Sequence, residues 1–282
     1  MMDGVTGHLR WAMDLSRLLN LACHADRFPV NVEQLALEFS ANRFPKDPIK
    51  AIKGGDLKNF EGALYPIGDA TGGWAVIYNE VGISPGRRRF TVAHEFGHYL
   101  AHRHRLPDGI ACDASAIDRR EGLGIEKEAD EFAAYLLMPF DDFRSRIAPS
   151  DKPDIEALIA CAKRYGVSLT AAVLRWLEYT ERRAVMVVSR DGGALWAKSS
   201  QRAFQSGRFL RTKAESYFLP ESSPAATGTF DTAGRANVIH EPGVWFPEET
   251  EEMSVRSERF DLTITVLHLP KETPFVRYDR AS

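Results

Sequence analysis

Apolar residues recur at helical spacing over Leu9, Ala12, Met13, Leu15, Leu18, Leu19 and Ala22, and predict an amphipathic helix from about His8 to His24. Pro29 interrupts the pattern. Asn31 is then placed to cap a second helix over Val32–Phe39, which Pro45 and Pro48 close. Two runs read as strands, Phe60–Ile67 and Gly73–Asn79. The second contains Trp74-Ala-Val-Ile-Tyr78, short, apolar and β-favouring, behind Gly72-Gly73. Phe90, Ala93, Gly97 and Leu100 lay an apolar stripe on a helix expected to start near Arg87 and run to about Arg105, before Pro107-Asp108-Gly109. Residues 106–123 are mixed and polar and read as a loop, partly helical. The stretch Glu126–Met138 predicts a further helix, with Phe132, Ala133, Leu136 and Leu137 on its core face and Pro139 at its end.

Residues 154–180 read as two helices around Tyr165-Gly166-Val167-Ser168, with Gly166 as C-cap and Ser168 as N-cap. This is a helix-turn-helix layout. A reader of DNA needs a basic face, and the second helix offers only Arg175 before Arg182 and Arg183, so a packed helical hairpin is the favoured reading. From Ala184 short β runs take over: Ala184–Val188, a turn at Asp191-Gly192-Gly193, Ala194–Ala197, and the alternating Leu262, Ile264 and Val266 within Phe260–Leu269. Glu248, Glu249, Glu251 and Glu252 read as a solvated turn or helix edge. The expected class is α+β. Residues 1–150 form a first domain with a small antiparallel sheet, 151–183 a helical segment, and 184–282 a second, sheet-rich α/β domain.

With 282 residues, 44% hydrophobic and 27% charged, the chain has ordinary globular composition, and a net charge of -3 gives no general pull toward nucleic acid or anionic membrane. No apolar run approaches the roughly 20 residues of a spanning helix. Three widely separated cysteines, without a C-x-x-C pair, favour a reducing cytoplasm over a disulfide framework or a zinc ribbon.

The chemistry concentrates in His94-Glu95-Phe96-Gly97-His98. On a helix, residues four apart share a face, so His94 and His98 can chelate one metal, while Glu95 lies about 100° around and can reach a water beside it. That is the arrangement of a zinc hydrolase. Glu95 is the expected general base and Tyr78 a candidate partner for the oxyanion. The third ligand has several candidates. Glu126 shares a helix face with Asp130, so that one can bind metal while the other orients a ligand histidine. Glu128 competes from another side of the same helix. His104 fits the spacing of a longer metal motif, but Ala101 stands where that motif needs glycine, and a continuing helix would carry His104 about 15 Å up the axis. His102 reads as a pocket or core histidine.

The Glu126-x-x-x-Asp130 layout resembles that of gluzincin metallopeptidases. Arg89-Phe90-Thr91-x-Ala93-His94-Glu95-x-Gly97-His98-x-Leu100, with Glu126-x-Glu128-Ala129-Asp130-x-Phe132-Ala133-Ala134-x-Leu136-Leu137-Met138-Pro139, resembles the ImmA/IrrE family of bacterial metallopeptidases. Phe60–Leu64 and Tyr165–Ser168 fit it as well, and the likeness covers roughly residues 10–180. The resemblance implies a zincin-like core with Zn²⁺ on His94, His98 and Glu126, and a GAF-like C-terminal domain in layout. It implies a zinc endopeptidase that cuts a helix-turn-helix repressor and so relieves repression in a stress response or on a mobile element. Family members often have Asn where this chain has Asp130, a change that keeps the hydrogen-bonding role. The alternatives are a metal-dependent regulator without cleavage and a component of a toxin–antitoxin module.

Overall fold

The computed structural model describes residues 7–23, 27–58, 60–68, 72–106, 108–112, 122–212, 216–257 and 260–271. The chain divides into two compact units, one of Met1–Phe143 with Ala160–Leu169, the other of Arg144–Ile159 with Thr170–Ser282. Both mix helix and sheet, so the class is α+β.

The first unit opens with α1 (Gly7–Cys23) and α2 (Val32–Arg43), the latter capped by Asn31, whose side-chain oxygen accepts from the Gln34 N–H at 3.2 Å. Strands β1 (Ile49–Gly55), β2 (Gly62–Pro66) and β3 (Trp74–Asn79) precede α3 (Pro85–Ala101), and β4 (Ile110–Cys112) follows it. The sheet order is β1-β3-β2-β4. It is mixed rather than antiparallel as expected, because β1 pairs with β3 in parallel while β2 pairs with β3 and β4 antiparallel. Both β1 and β4 were missed in the sequence. Lys50, Lys53, Gly54 and Gly55 break any apolar alternation in β1, and β4 is three residues long within the stretch read as a loop. Residues 107 and 113–121 of that stretch lie outside the described residues.

Ser84 caps α3 by accepting from the Arg87 N–H, and Pro85 occupies its first turn, where a missing N–H costs nothing. Every residue from Thr91 to Leu100 is buried. A helix buried all round needs packing on several faces. It packs on α4 (Gly122–Leu137) and also touches β2 and β3. The helix stops at Ala101, earlier than expected, and tightens into a 3₁₀ turn over Arg103–Arg105. Arg103 anchors that turn, donating to Asp47 at 2.9 Å and to the Tyr99 carbonyl at 3.0 Å.

Close approach of α3 and α4 rests on Gly97. A Cβ there would stand 2.9 Å from Cδ1 of Phe132 and 3.2 Å from Cγ. Phe132 is itself fully buried, edge-on to Phe96 at 5.8 Å between ring centroids.

Downstream, α5 (Phe140–Arg146), α6 (Ile155–Tyr165) and α7 (Leu169–Leu177) complete the helices before the second sheet. Gly166, in the turn after α6, has φ +61°. Arg175 of α7 is buried and paired with Glu178 at 2.6 Å. Among the described residues, no single helix is long and apolar enough to cross a membrane.

The second unit is built on β5 (Ala184–Arg190), β6 (Gly193–Ser199), β7 (Tyr217–Phe218), β8 (Arg235–His240), β9 (Thr250–Ser257) and β10 (Leu262–His268), with short helices α8 (Gln201–Gln205) and α9 (Pro224–Thr227). Their order is β7-β6-β5-β10-β9-β8, with antiparallel neighbours throughout. Val185, Val187, Leu219, Trp245, Phe246 and Leu267 pack in its core. Here the acidic run departs from its reading as a solvated edge, because Glu252 is fully buried in β9. One of its oxygens accepts from Ser223 and Ser254, each at 2.8 Å. The other accepts from the Trp245 indole at 2.9 Å and bonds the His240 ring at 2.9 Å. Such a shell replaces the water a buried carboxylate loses.

The Gly97 contact gives a stability test. Alanine improves helix propensity by about 1 kcal/mol, but overpacking against a buried ring costs about 1–3 kcal/mol. We expect Gly97→Ala to lower the urea unfolding midpoint; a raised midpoint would mean that α4 can move outward freely.

Candidate metal centre

Helix α3 presents His94 and His98, with His102 as the capping residue after its C-terminus, at successive intervals of four, and α4 presents Glu126, Glu128 and Asp130. The two sets face each other. His94 Nε2 and His98 Nε2 are 3.0 Å apart. Glu126 stands 3.2 Å from His94 Nε2 through Oε2 and 3.3 Å from His98 Nε2 through Oε1. Donors at about 2.0–2.2 Å from a tetrahedral zinc lie about 3.3 Å from one another. The three side chains therefore have the donor chemistry and the mutual spacing of three of the four corners of such a site, and they form the one metal-capable group of this kind among the described residues.

The remaining candidates fall elsewhere. Asp130 Oδ1 lies 2.9 Å from His94 Nδ1, on the far side of that ring from Glu126. Glu128 Oε2 lies 2.8 Å from His102 Nε2. His104 is exposed in the 3₁₀ turn. Tyr78 is buried under the Arg88 guanidinium, whose carbon is 4.7 Å from the ring centroid. Strand β3 is interior to its sheet, whose edges are β1 and β4.

Burial disfavours charge on both histidines, yet their titrations split. At His94 burial is outweighed by the hydrogen bonds to Asp130 and Glu126 and by the charge of Glu95, which together raise its pKa to about 10. At His98 burial dominates and lowers it to about 4, against the pull of Glu126. Glu126 loses solvation too, but bonds to both rings hold its carboxyl well below the usual carboxylate range. The cluster thus favours one positive charge between two imidazoles and a carboxylate, which is the demand a bound cation satisfies.

Glu95 is fully buried and points at β2. A Cβ on Gly62 would sit 2.6 Å from Glu95 Oε1 and 2.6 Å from Thr91 Cγ2, so the first residue of β2 has room for a hydrogen only. The sequence showed Gly62 within Phe60–Leu64 but not the carboxylate it faces.

Residues 56–177 match the family model of the IrrE N-terminal-like domain, Peptidase_M78. The match supports the resemblance of this stretch to the ImmA/IrrE family of metallopeptidases. The IrrE-like domain so defined contains β2 to α7, and with them every residue of the cluster just described. A solved structure described as a Mycobacterium tuberculosis transcriptional regulator resembles the chain with a TM-score of 0.54 and 13% identity, over 92% of this chain and 76% of that one. At this identity the likeness speaks to fold alone. None of the curated proteins matches.

We expect the metal-free protein to take up one zinc per chain, read by elemental analysis after dialysis. His94→Ala, His98→Ala and Glu126→Ala should lose it, and His104→Ala should keep it. Retention by Glu126→Ala would remove Glu126 from the donor set.

Proposed function

We propose that this chain is a zinc-dependent endopeptidase whose substrate is a helix-turn-helix transcriptional repressor. The observation that carries the reading is Glu95, a buried carboxylate next to the His94–His98–Glu126 group and confined by Gly62. A purely structural metal site has no use for that carboxylate.

In this reading His94, His98 and Glu126 hold Zn²⁺, and Asp130 orients His94 through its Nδ1. Bound zinc would polarise the scissile carbonyl and make water a better nucleophile. Glu95 accepts the proton as water attacks and delivers it to the leaving amine. The buried flank of α3 keeps bulk water from the carboxylate. Strand β4, at the sheet edge beside Gly62, offers backbone groups to an extended peptide, which would lie as an added strand. The core is zincin-like on this view.

The segment 151–183 then serves as a helical connector, with Arg175 buried rather than offered to DNA. The sheet-rich part, 184–282, is a regulatory domain, GAF-like in its layout. Cleavage of a repressor would relieve repression in a cytoplasmic stress response or in the control of a mobile element.

A second reading keeps the metal and drops the cleavage, making the protein a metal-dependent regulator. The description of the similar solved structure as a transcriptional regulator prompts this reading, although the likeness itself is one of fold. Glu95→Gln separates the two. The amide is nearly isosteric but cannot accept the proton, and loss of a general base typically lowers rate by about 10²–10⁴. We expect a folded, zinc-loaded variant that no longer cuts a co-supplied repressor on a gel. Undiminished derepression in cells carrying Glu95→Gln would leave the regulator reading standing.

Gly62→Ala tests the confinement of Glu95. It should retain zinc while kcat for peptide hydrolysis falls at least tenfold; unchanged kcat would show that the carboxylate has other room.

A further inference from the structure

The two histidines at the centre of the cluster are anchored differently. His94 meets a carboxylate directly, through Nδ1 and Asp130. His98 meets another imidazole, with its Nδ1 3.0 Å from His102 Nδ1. His102 in turn reaches α4, its Nε2 2.8 Å from Glu128 Oε2. Both rings are fully buried. From α1, His8 Nδ1 stands 3.8 Å from the same Glu128 oxygen, and His8 Nε2 is 2.9 Å from Glu131 Oε2.

Proton counting along this chain leaves one arrangement. Two ring nitrogens 3.0 Å apart share a single proton, so one Nδ1 donates and the other accepts. If His102 Nδ1 were the donor, neutral His102 would turn a bare Nε2 toward the Glu128 carboxylate, lone pair against anion. Neutral His98 would then carry its proton on Nε2, facing His94 Nε2 and Glu126, and could not ligate a cation there. The opposite arrangement meets both requirements once a cation sits among the donors. His102 Nε2–H donates to Glu128, His98 Nδ1–H donates to His102 Nδ1, and His98 Nε2 is left with its lone pair directed at the donor group.

We propose that Glu128 and His102 are positioning residues: together they hold His98 in the tautomer whose Nε2 lone pair faces His94 and Glu126. The proposal rests on the reading of His94, His98 and Glu126 as a metal site. It gives His102 a task distinct from that of a core histidine, and it gives Glu128 a place in the site other than that of third ligand. His94, His98 and the capping His102 are then all fixed by carboxylates of α4, the middle one through an intervening ring.

The test uses the full chain, first stripped of metal and then titrated with zinc against a chromophoric chelator. His102→Phe keeps the ring volume and removes the acceptor, and should weaken zinc binding by about 10–100-fold, the range for loss of such an outer partner. His102→Asn returns a carbonyl acceptor to the position of Nδ1 and should recover affinity to within a few-fold of the parent. Glu128→Ala should weaken binding less than His102→Phe, because the ring remains but is free to change tautomer. The exposed His104→Ala serves as the control. Ring ¹⁵N NMR of the zinc-loaded parent reads the tautomers directly and does not depend on any variant folding. The expected spectrum has His98 protonated at Nδ1 and His102 at Nε2. His102 protonated at Nδ1, or a folded His102→Phe that binds zinc as tightly as the parent, overturns the proposal while leaving the metal site intact. A folded parent that binds no zinc overturns the metal reading, and this proposal with it.

Discussion

The arrangement depends on how closely α3 and α4 can approach. Gly97 faces Phe132 with no space for a methyl group between them. The imidazoles of His94, His98 and His102 meet Glu126, Glu128 and Asp130, all on the N-terminal side of Phe132 in α4, at hydrogen-bond range. Apolar packing therefore sets a distance that polar chemistry then uses. A helix pair held further apart by one methyl would still bury its ridges, but Glu126 would no longer span both Nε2 atoms.

The second constraint is solvation. Ten consecutive residues of α3 are buried, and they include two histidines and a glutamate. Buried groups of this kind are costly unless partners replace water. The partners come from separate pieces of chain: Glu126, Glu128 and Asp130 from α4, and His8 behind them from α1. The second unit solves the same problem differently. Glu252 is enclosed by neutral hydroxyls, an indole N–H and one histidine, and no metal-capable group was found around it among the described residues.

Much of this was readable in the sequence, and the unreadable part has a physical cause. His94, Glu95 and His98 declare themselves because chelation from one helix requires an interval of four, and Glu126 with Asp130 repeats that interval on the next helix. The spacing of His102 was equally plain. Its partner was not, because pairing Glu128 with His102 depends on how two helices align, and no single helix encodes that. Gly62 carries no side chain to advertise the carboxylate it accommodates. Strand β1 is held by backbone hydrogen bonds while its lysines and glycines hide the period of two. Glu252 sat in a run of glutamates that reads as surface, and its bonding partners Ser223, His240 and Trp245 arrive from distant positions in the chain.

Phe132 and Glu126 are six residues apart on one helix, and that interval couples the packing contact to the donor. Inserting a single residue between them would rotate Glu126 by about 100° about the α4 axis relative to Phe132. The string His94-Glu95-Phe96-Gly97-His98 would remain letter for letter while the carboxylate between its rings turned away. Among chains that share this string, helical phase between the aromatic anchor and the acidic donor is thus the sharper mark of a complete site, and an indel in α4 is enough to separate a working relative from one that keeps only the motif.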